Sequence, residues 1–365
     1  MMSGKEKRPL ISLAISTIII IAISTSGCLE LYESFQVGFV SFSPDGSKII
    51  SNDNAGVIQL WDVLTGKEIF RYEAHYGIPI FWSPDGKQFT FKCWQILRIF
   101  NSSSGKEVAN ISDDLYPVGW SFNGKIFVTQ HESNITLWNA SSFSEIKTFQ
   151  LPIKPELIAL SPSGEEIAYC PSNESLVAIV NISSQEIKIK LGIPMVNLTN
   201  LEACYKLCWS ADGKKIALLA SLNKTAYAYV WNILNSSLLC SRTINGTYGK
   251  YVRIYADFSP DCEKLVHGYY KKSDIEIINL SSGKRTLALE GCPNGTASID
   301  WSPDGSRIAA GESYYGGMIK VWNATSGELV QTMKTPEHHT PDLNVFYVIL
   351  MFIVCALLIK LKRKR

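Results

Sequence analysis

Between residues 35 and 73 the chain alternates short apolar runs with turn residues at the period of β-strands. "FQVGFVSF" (35–42) runs into an Asp-Gly turn at Asp45 and Gly46, and "SKIIS" (47–51) returns from it. An Asp-Gly pair between two such runs is a strong hairpin signal. "VIQLW" (57–61) supplies a third strand, and "KEIFRYE" (67–73) a fourth after Gly66. The same order returns near the other end as "SIDW", "SRIAAG", "MIKVW" and "GELVQTM".

A Ser-x-x-Gly turn marks each copy. It starts at residues 43, 83, 121, 161, 210, 259 (as "SPDC") and 302, in steps of 40, 38, 40, 49, 49 and 43 residues. A period in that range is the signature of four-stranded propeller blades. One blade cannot bury its apolar strands alone, whereas seven stacked in a ring can. The pattern therefore predicts an all-β fold, a seven-bladed β-propeller of four-stranded antiparallel blades, over residues 35–333. Trp61, Trp138, Trp231 and Trp322, with Phe100, Val180 and Ile278 in the same place, should fill the gaps between blades.

The phased "SPDG" turns followed by Trp-Asp-like sites, "LWDVLTG" (60–66) and "VWNATSG" (321–327), resemble those of the WD-repeat and related seven-bladed propellers. The chain departs from that pattern twice. The Gly-His dipeptide ahead of each blade is missing, with His75 in "EAHYG" its nearest approach, and the Asp about six residues before the Trp is mostly gone. The family's buried His–Ser–Asp–Trp hydrogen-bond network is accordingly expected to be absent. Chain order sets the faces. The first strand of each blade descends from a top face, made of the loops before the first and third strands. The turns before the second and fourth strands form the bottom.

The two ends do not fit this pattern. In "KEKRPLISLAISTIIIIAISTSGC" (5–28), Lys5, Lys7 and Arg8 precede an apolar run, then small residues and Cys28. That is the layout of a signal peptide or an N-terminal anchor, and "TSGC" resembles a lipobox with Cys28 as the lipidation candidate. Residues 29–34 form a short linker. "KTPEHHTPD" (334–342) is a second linker, spanning at most ~30 Å when extended. Residues 343–361 form an apolar run of the ~20-residue length that crosses a bilayer, and 362–365 a basic cytoplasmic tail. This layout puts the propeller outside the cell membrane with its top face toward it. The formal charge of +2 then misleads, because the ends hold eight of the 35 basic residues and only one of the 33 acidic ones. The part between is acidic, which excludes a basic footprint for nucleic acid.

Sequons occur at Asn101, Asn110, Asn134, Asn139, Asn173, Asn181, Asn197, Asn223, Asn235, Asn245, Asn279, Asn294 and Asn323, thirteen of the 19 Asn residues. All lie between the two ends, where glycosylation is possible in an exported protein. Asn101, Asn139, Asn181, Asn235, Asn279 and Asn323 fall at the turn between third and fourth strands, on the bottom face. Asn is also a turn residue, so the pattern has a purely conformational alternative. An ectodomain of this kind resembles exported archaeal surface proteins. Apart from Cys28 and Cys355, Cys93, Cys170, Cys204, Cys208, Cys240, Cys262 and Cys292 make an odd set of seven without zinc spacing, read as small buried residues with at most one disulfide.

Tyr offers large amphipathic contact area at low entropy cost. Tyr269 and Tyr270, with Tyr314 and Tyr315 at the equivalent loop of the next blade, are therefore candidate partner contacts on the top face. Tyr76, Trp94, Tyr248 and Tyr251 lie in or near other top loops. No catalytic, metal or cofactor-binding residue is assigned, and no cofactor is expected. Asp45, Asp85 and Asp304 are given turn roles. The expected function is a membrane-anchored scaffold that binds a protein or glycan at the cell surface. The alternatives are a structural component of the cell envelope and a propeller enzyme such as a glycosidase or lyase.

Overall fold

Each apolar run of the repeat is a strand. The computed structural model describes residues 36–74, 77–112, 114–172, 174–194, 201–222, 225–244, 254–270, 272–313 and 317–335. The expectations for residues 1–28, 29–34, 343–361 and 362–365 lie outside these, as does most of the 334–342 linker. In blade 1, β1 (Val37–Phe42), β2 (Lys48–Asp53), β3 (Val57–Asp62) and β4 (Glu68–Glu73) pair in that order, antiparallel throughout. Six further four-stranded sheets follow, each built from consecutive strands. The fold is an all-β, seven-bladed propeller. Among the described residues no helix is long and apolar enough to cross a membrane.

The turn that sets the period is held by its serine. Ser43 Oγ donates to Asp45 Oδ1 at 2.6 Å and accepts from the Lys48 backbone N–H at 2.9 Å. Gly46 follows at a φ of +67°, a conformation that only glycine adopts without strain. The equivalent serines 83, 121, 161, 210, 259 and 302 are all buried. Asp45, Asp85 and Asp304 do sit in these turns. Against partial burial, hydrogen bonds from Ser43 and Ser47 hold Asp45 below the usual carboxylate range, and Ser302 and Ser306 do the same for Asp304.

The core is divided among the blade junctions. Trp61 packs with Val37, Val40 and Phe42 against Ala309, Ile319 and Val321 of blade 7. Phe100, Trp138, Val180, Trp231 and Trp322 occupy the corresponding places at five other junctions, and Ile278 packs partly buried at the remaining one. In every blade the pairing of third and fourth strands slips by one residue at this position, as between Leu60 and Trp61. Such a bulge bends the outer strand and increases its twist. The expected loss of the buried Trp network is only partial. Trp61 Nε1 donates to Ser51 Oγ at 2.9 Å, and Trp138 Nε1 to Thr129 Oγ1 at 2.8 Å. The half of the network that needs no His survives, because a buried indole N–H must find an acceptor.

Candidate functional site: the central channel and the top face

The first strands of all blades line the axis of the ring, so any polar residue on their inner faces converges with others from distant parts of the sequence. Those of blades 1, 2, 5, 6 and 7 enclose a cavity of about 570 Å³, with Phe39, Trp82, Tyr205, Lys206, Tyr255 and Asp300 among its lining. Lys206 lies in β17 (Leu201–Trp209) of blade 5, Asp257 in β21 (Ile254–Phe258) of blade 6 and Asp300 in β25 (Thr296–Trp301) of blade 7. Lys206 Nζ is 2.8 Å from Asp257 Oδ1.

The other oxygens reach forward around the ring. Asp257 Oδ2 accepts from the Trp301 backbone N–H at 2.9 Å, and Asp300 Oδ2 from that of Phe42 at 2.8 Å. One polar chain thus links blades 5, 6, 7 and 1. Burial opposes the charge on Lys206, but Asp257 and Asp300 outweigh it and raise the ammonium above its usual range. Burial, reinforced by the Asp257 charge, pushes Asp300 up to about 7 despite Lys206 and the Phe42 N–H. Sequence reading missed these three residues. The available signal was an Asp in an apolar first strand, two places ahead of the turn serine, in "YADFSPD" and "SIDWSPD".

The top face is built differently. Trp94 occupies the tight turn between β6 (Gln88–Cys93) and β7 (Ile96–Asn101) at a φ of +57°, with 70% of its surface exposed. Tyr116 opens β9 (Tyr116–Trp120), the first strand of blade 3, and is 48% exposed. Buried Lys92 lies 3.3 Å from the Tyr116 ring centroid and 2.5 Å from Asp114 Oδ1. That ion pair and cation–π contact fix the ring's orientation. On the next blade Glu132 pairs with Lys154 at 2.9 Å. Tyr116 and its supports were not anticipated, since no repeat motif marks the residue that opens this strand.

Trp94 stands where expected, whereas Tyr269 does not. It is the last residue of β22 (Lys264–Tyr269), only 6% exposed, and packs in the core between blades 5 and 6 with His267 edge-on to its ring. A side chain pointing into a junction offers no surface to a partner. Tyr270 is half-buried and bridges to Gly295 of the next blade. Tyr76, Tyr248, Tyr251, Tyr314 and Tyr315 lie outside the described residues, with Cys28, Asn173, Asn197, Asn223 and Asn245.

Of the remaining sequons, Asn101, Asn139, Asn181, Asn279 and Asn323 each end a third strand on the bottom face. Their Oδ1 atoms accept from the turn backbone, as Asn323 does from Thr325 at 2.8 Å and Ser326 at 2.9 Å. In blade 5 that duty falls to Asn232, whose Oδ1 accepts from Leu234, and Asn235 is exposed within the turn. Asn110 and Asn134 are exposed on blades 2 and 3, and Asn294 is half-buried beside blade 7.

Comparison with known proteins agrees with this geometry. Residues 283–323 match the "WD domain, G-beta repeat" family, a stretch that holds the last strand of blade 6 and the first three strands of blade 7. The chain is 26% identical to an Arabidopsis thaliana WD repeat-containing protein WDS homolog over 80% of its own length and 47% of the relative's. One of its seven repeats matches the family, and the chain is similar to WD-repeat propellers. A Schizosaccharomyces pombe pre-rRNA-processing protein, crb3/ipi3, is 23% identical over 38% of this chain and 36% of that protein. The propeller spans about a third to a half of the length of the curated relatives it matches. A chain of Kuenenia stuttgartiensis hydrazine synthase superposes with a TM-score of 0.64 at 14% identity, covering 82% of this protein and 95% of that chain, and this shows the fold alone.

Proposed function

We propose that the propeller is a protein-binding scaffold held outside a cell membrane by its ends, with the top face as its docking surface. Protein binding is the general use of WD-type propellers. The observation that carries the choice of face is Trp94 with Tyr116, the first exposed at a tight turn and the second braced by Lys92. Aromatics presented in fixed rotamers bind with little entropy loss and are typical of binding hot spots. The ends and the bottom-face sequons support the extracytoplasmic placement. The Asn turns accept through Oδ1, so a glycan on the nitrogen leaves the turn's hydrogen bonds in place.

We read the channel triad as structural rather than catalytic. Each Asp has one oxygen engaged by a backbone N–H of the next blade, and Lys206 is held between them. The docking reading is tested by capture of cell-envelope proteins on the full chain in detergent. A stoichiometric partner retained by wild type and lost with Trp94→Ala plus Tyr116→Ala supports it. Retention by that variant, or substrate turnover by the purified protein, overturns it. Accessibility of the propeller to protease on whole cells tests the placement separately.

A further inference from the structure

Equivalent positions meet at successive blade junctions. One is nine residues after a turn serine, in the second strand. The other is six residues before the next turn serine, in the first strand of the following blade. Between blades 7 and 1 these are Gly311 and Val37, and a Cβ on Gly311 would sit 2.7 Å from that of Val37. Between blades 6 and 7 they are Gly268 and Thr296, and a Cβ on Gly268 would sit 2.5 Å from Thr296 Oγ1. Between blades 4 and 5 the same two positions hold Cys170 and Cys204. Their thiols lie within hydrogen-bonding reach, and both pack in one interblade core. Disulfides need Cβ atoms about 3.5–4.5 Å apart. Cys170 and Cys204 face each other across the equivalent junction, thiol to thiol in one core, which is the arrangement a disulfide requires.

A second pair lies one blade on. Cys262 replaces the glycine that ends the other six turns, and keeps its left-handed backbone at a φ of +55°. That conformation is unfavourable for any residue with a Cβ. It is 2% exposed and faces Cys208 of blade 5, again within hydrogen-bonding reach and in a shared core. A strained residue whose side chain meets a second thiol calls for a functional account.

We propose that Cys170–Cys204 and Cys208–Cys262 are disulfide pairs, formed when the protein meets a disulfide-class oxidant, that staple blade 4 to blade 5 and blade 5 to blade 6. All seven described cysteines are free thiols in this structure. The other three stand apart. Cys93 Sγ donates to the Ala74 carbonyl, Cys240 Sγ to that of Leu280, and Cys292 is buried near Glu312 and Lys320. Two pairs and three single thiols account for the odd number.

Cys204 and Cys208 are partly exposed, whereas Cys170 and Cys262 are buried. The exposed member attacks a small-molecule or protein disulfide as thiolate and releases one thiol. Its buried partner loses its proton and attacks the mixed disulfide, releasing the second thiol. Each staple thus oxidises two cysteines, reduces one external disulfide to two thiols, and passes on two protons. The partner's hydrogen bond and then burial raise Cys170 and Cys208 well above the usual thiol range. Closure in the folded protein therefore accelerates as pH rises.

Pair geometry carries the chemistry, while use of the staples in the cell also rests on the proposed extracytoplasmic placement. The full chain in detergent is incubated with oxidised glutathione, its remaining thiols are alkylated, and peptides are mapped without reduction. Cross-links 170–204 and 208–262, with Cys93, Cys240 and Cys292 alkylated, are expected. Seven alkylated cysteines, or a 204–208 link, overturn the proposal. The map is read on wild type, and Cys262→Gly, which restores the usual turn residue, should lose only its own cross-link. Trapping thiols in intact cells separates the two premises. Cross-links there support the staples' use. Reduced thiols in cells, with both cross-links still forming in glutathione, retain the pairs and overturn the placement.

Discussion

The junction that closes the ring and the junction between blades 4 and 5 use equivalent positions for opposite chemistry. Blades 4 and 5 follow one another in the chain, and their interface is a broad apolar core with two thiols in it. Blades 7 and 1 come from opposite ends of the propeller and share no strand, because each sheet is built from four consecutive strands. This closure is carried by close packing and directed hydrogen bonds. Ser298 Oγ donates to the Val37 carbonyl at 3.0 Å, the Phe42 N–H to Asp300 at 2.8 Å and Gln331 to the Leu64 carbonyl at 3.2 Å. A junction without chain continuity must fix its register by contacts alone. Glycine and a carboxylate supply that register here, as Gly268 and Asp257 also do between blades 6 and 7, where cysteines serve between blades 4 and 5.

The largest effect should come from spoiling the close approach. In Gly311→Ala the added carbon would lie 2.6 Å from the Val37 carbonyl oxygen and 2.7 Å from its Cβ, both tied to the β1 backbone. Overpacking of this kind costs roughly 1–3 kcal/mol, here toward the upper end because neither neighbour is a flexible tip. Gly192→Ala, with no atom within 4 Å of its added carbon, is the control and should change stability by less than about 1 kcal/mol. Urea unfolding of both variants reads the difference. Equal midpoints would mean that closure is not tight.

Next in size is the polar chain. Lys206→Met leaves Asp257 and Asp300 facing each other without their cation. Removing one partner of a buried ionic group costs about 3–5 kcal/mol when burial is complete. Lys206 keeps 37% side-chain exposure, so roughly 2 kcal/mol at pH 8 is expected, falling at pH 5 as Asp300 takes up a proton. A loss independent of pH would show that the carboxylates are not coupled through Lys206.

Asp300 gives a smaller effect with a definite sign. Its pKa is raised to about 7 from an ordinary 3.8, so the folded state holds the proton more tightly than the unfolded one. Its contribution is complete below pH 4, declines as pH rises toward 7, and is flat above. Asp300→Asn keeps an acceptor for the Phe42 N–H and removes the titration. Relative to wild type it should gain on the order of 1–2 kcal/mol between pH 4 and pH 8, the roughly 4 kcal/mol that such a rise in pKa represents being reduced by solvent screening of the partly exposed Asp300. Parallel stability curves for the two proteins would overturn the assignment.

The repeat was legible because its signals are local. Ser43, Asp45 and Gly46 hold one another within four residues, and the Trp61 position recurs 17–21 residues behind the turn serine. The channel was not, because Lys206, Asp257 and Asp300 are far apart in sequence and meet only where the first strands of successive blades line the axis. An Asp in a strand reads as one more solvent-facing residue until the strand is known to line an axis. Tyr269 lies in the core for a related reason: its neighbour Tyr270 begins the loop, and one residue decides between core and surface.

The smallest effect separates the third-strand turns by blade. Blade 1 keeps Asp62, whose Oδ1 accepts from the Thr65 N–H at 2.7 Å, where blade 7 has Asn323 accepting from Thr325 and Ser326. Hydrogen bonds from Thr65 hold Asp62 below the usual carboxylate range, so a charged oxygen serves this turn as well as an amide one. Asn323→Asp should therefore change stability by less than about 0.5 kcal/mol, whereas Asn323→Ala, losing the acceptor, should cost about 1 kcal/mol. The same Asn323→Asp change removes the sequon. Protein from its native source should then lose one glycan's mass on a gel while its unfolding midpoint stays put. If the mass is unchanged, Asn323 is only a turn residue, and the bottom face loses its strongest sign of an extracytoplasmic setting.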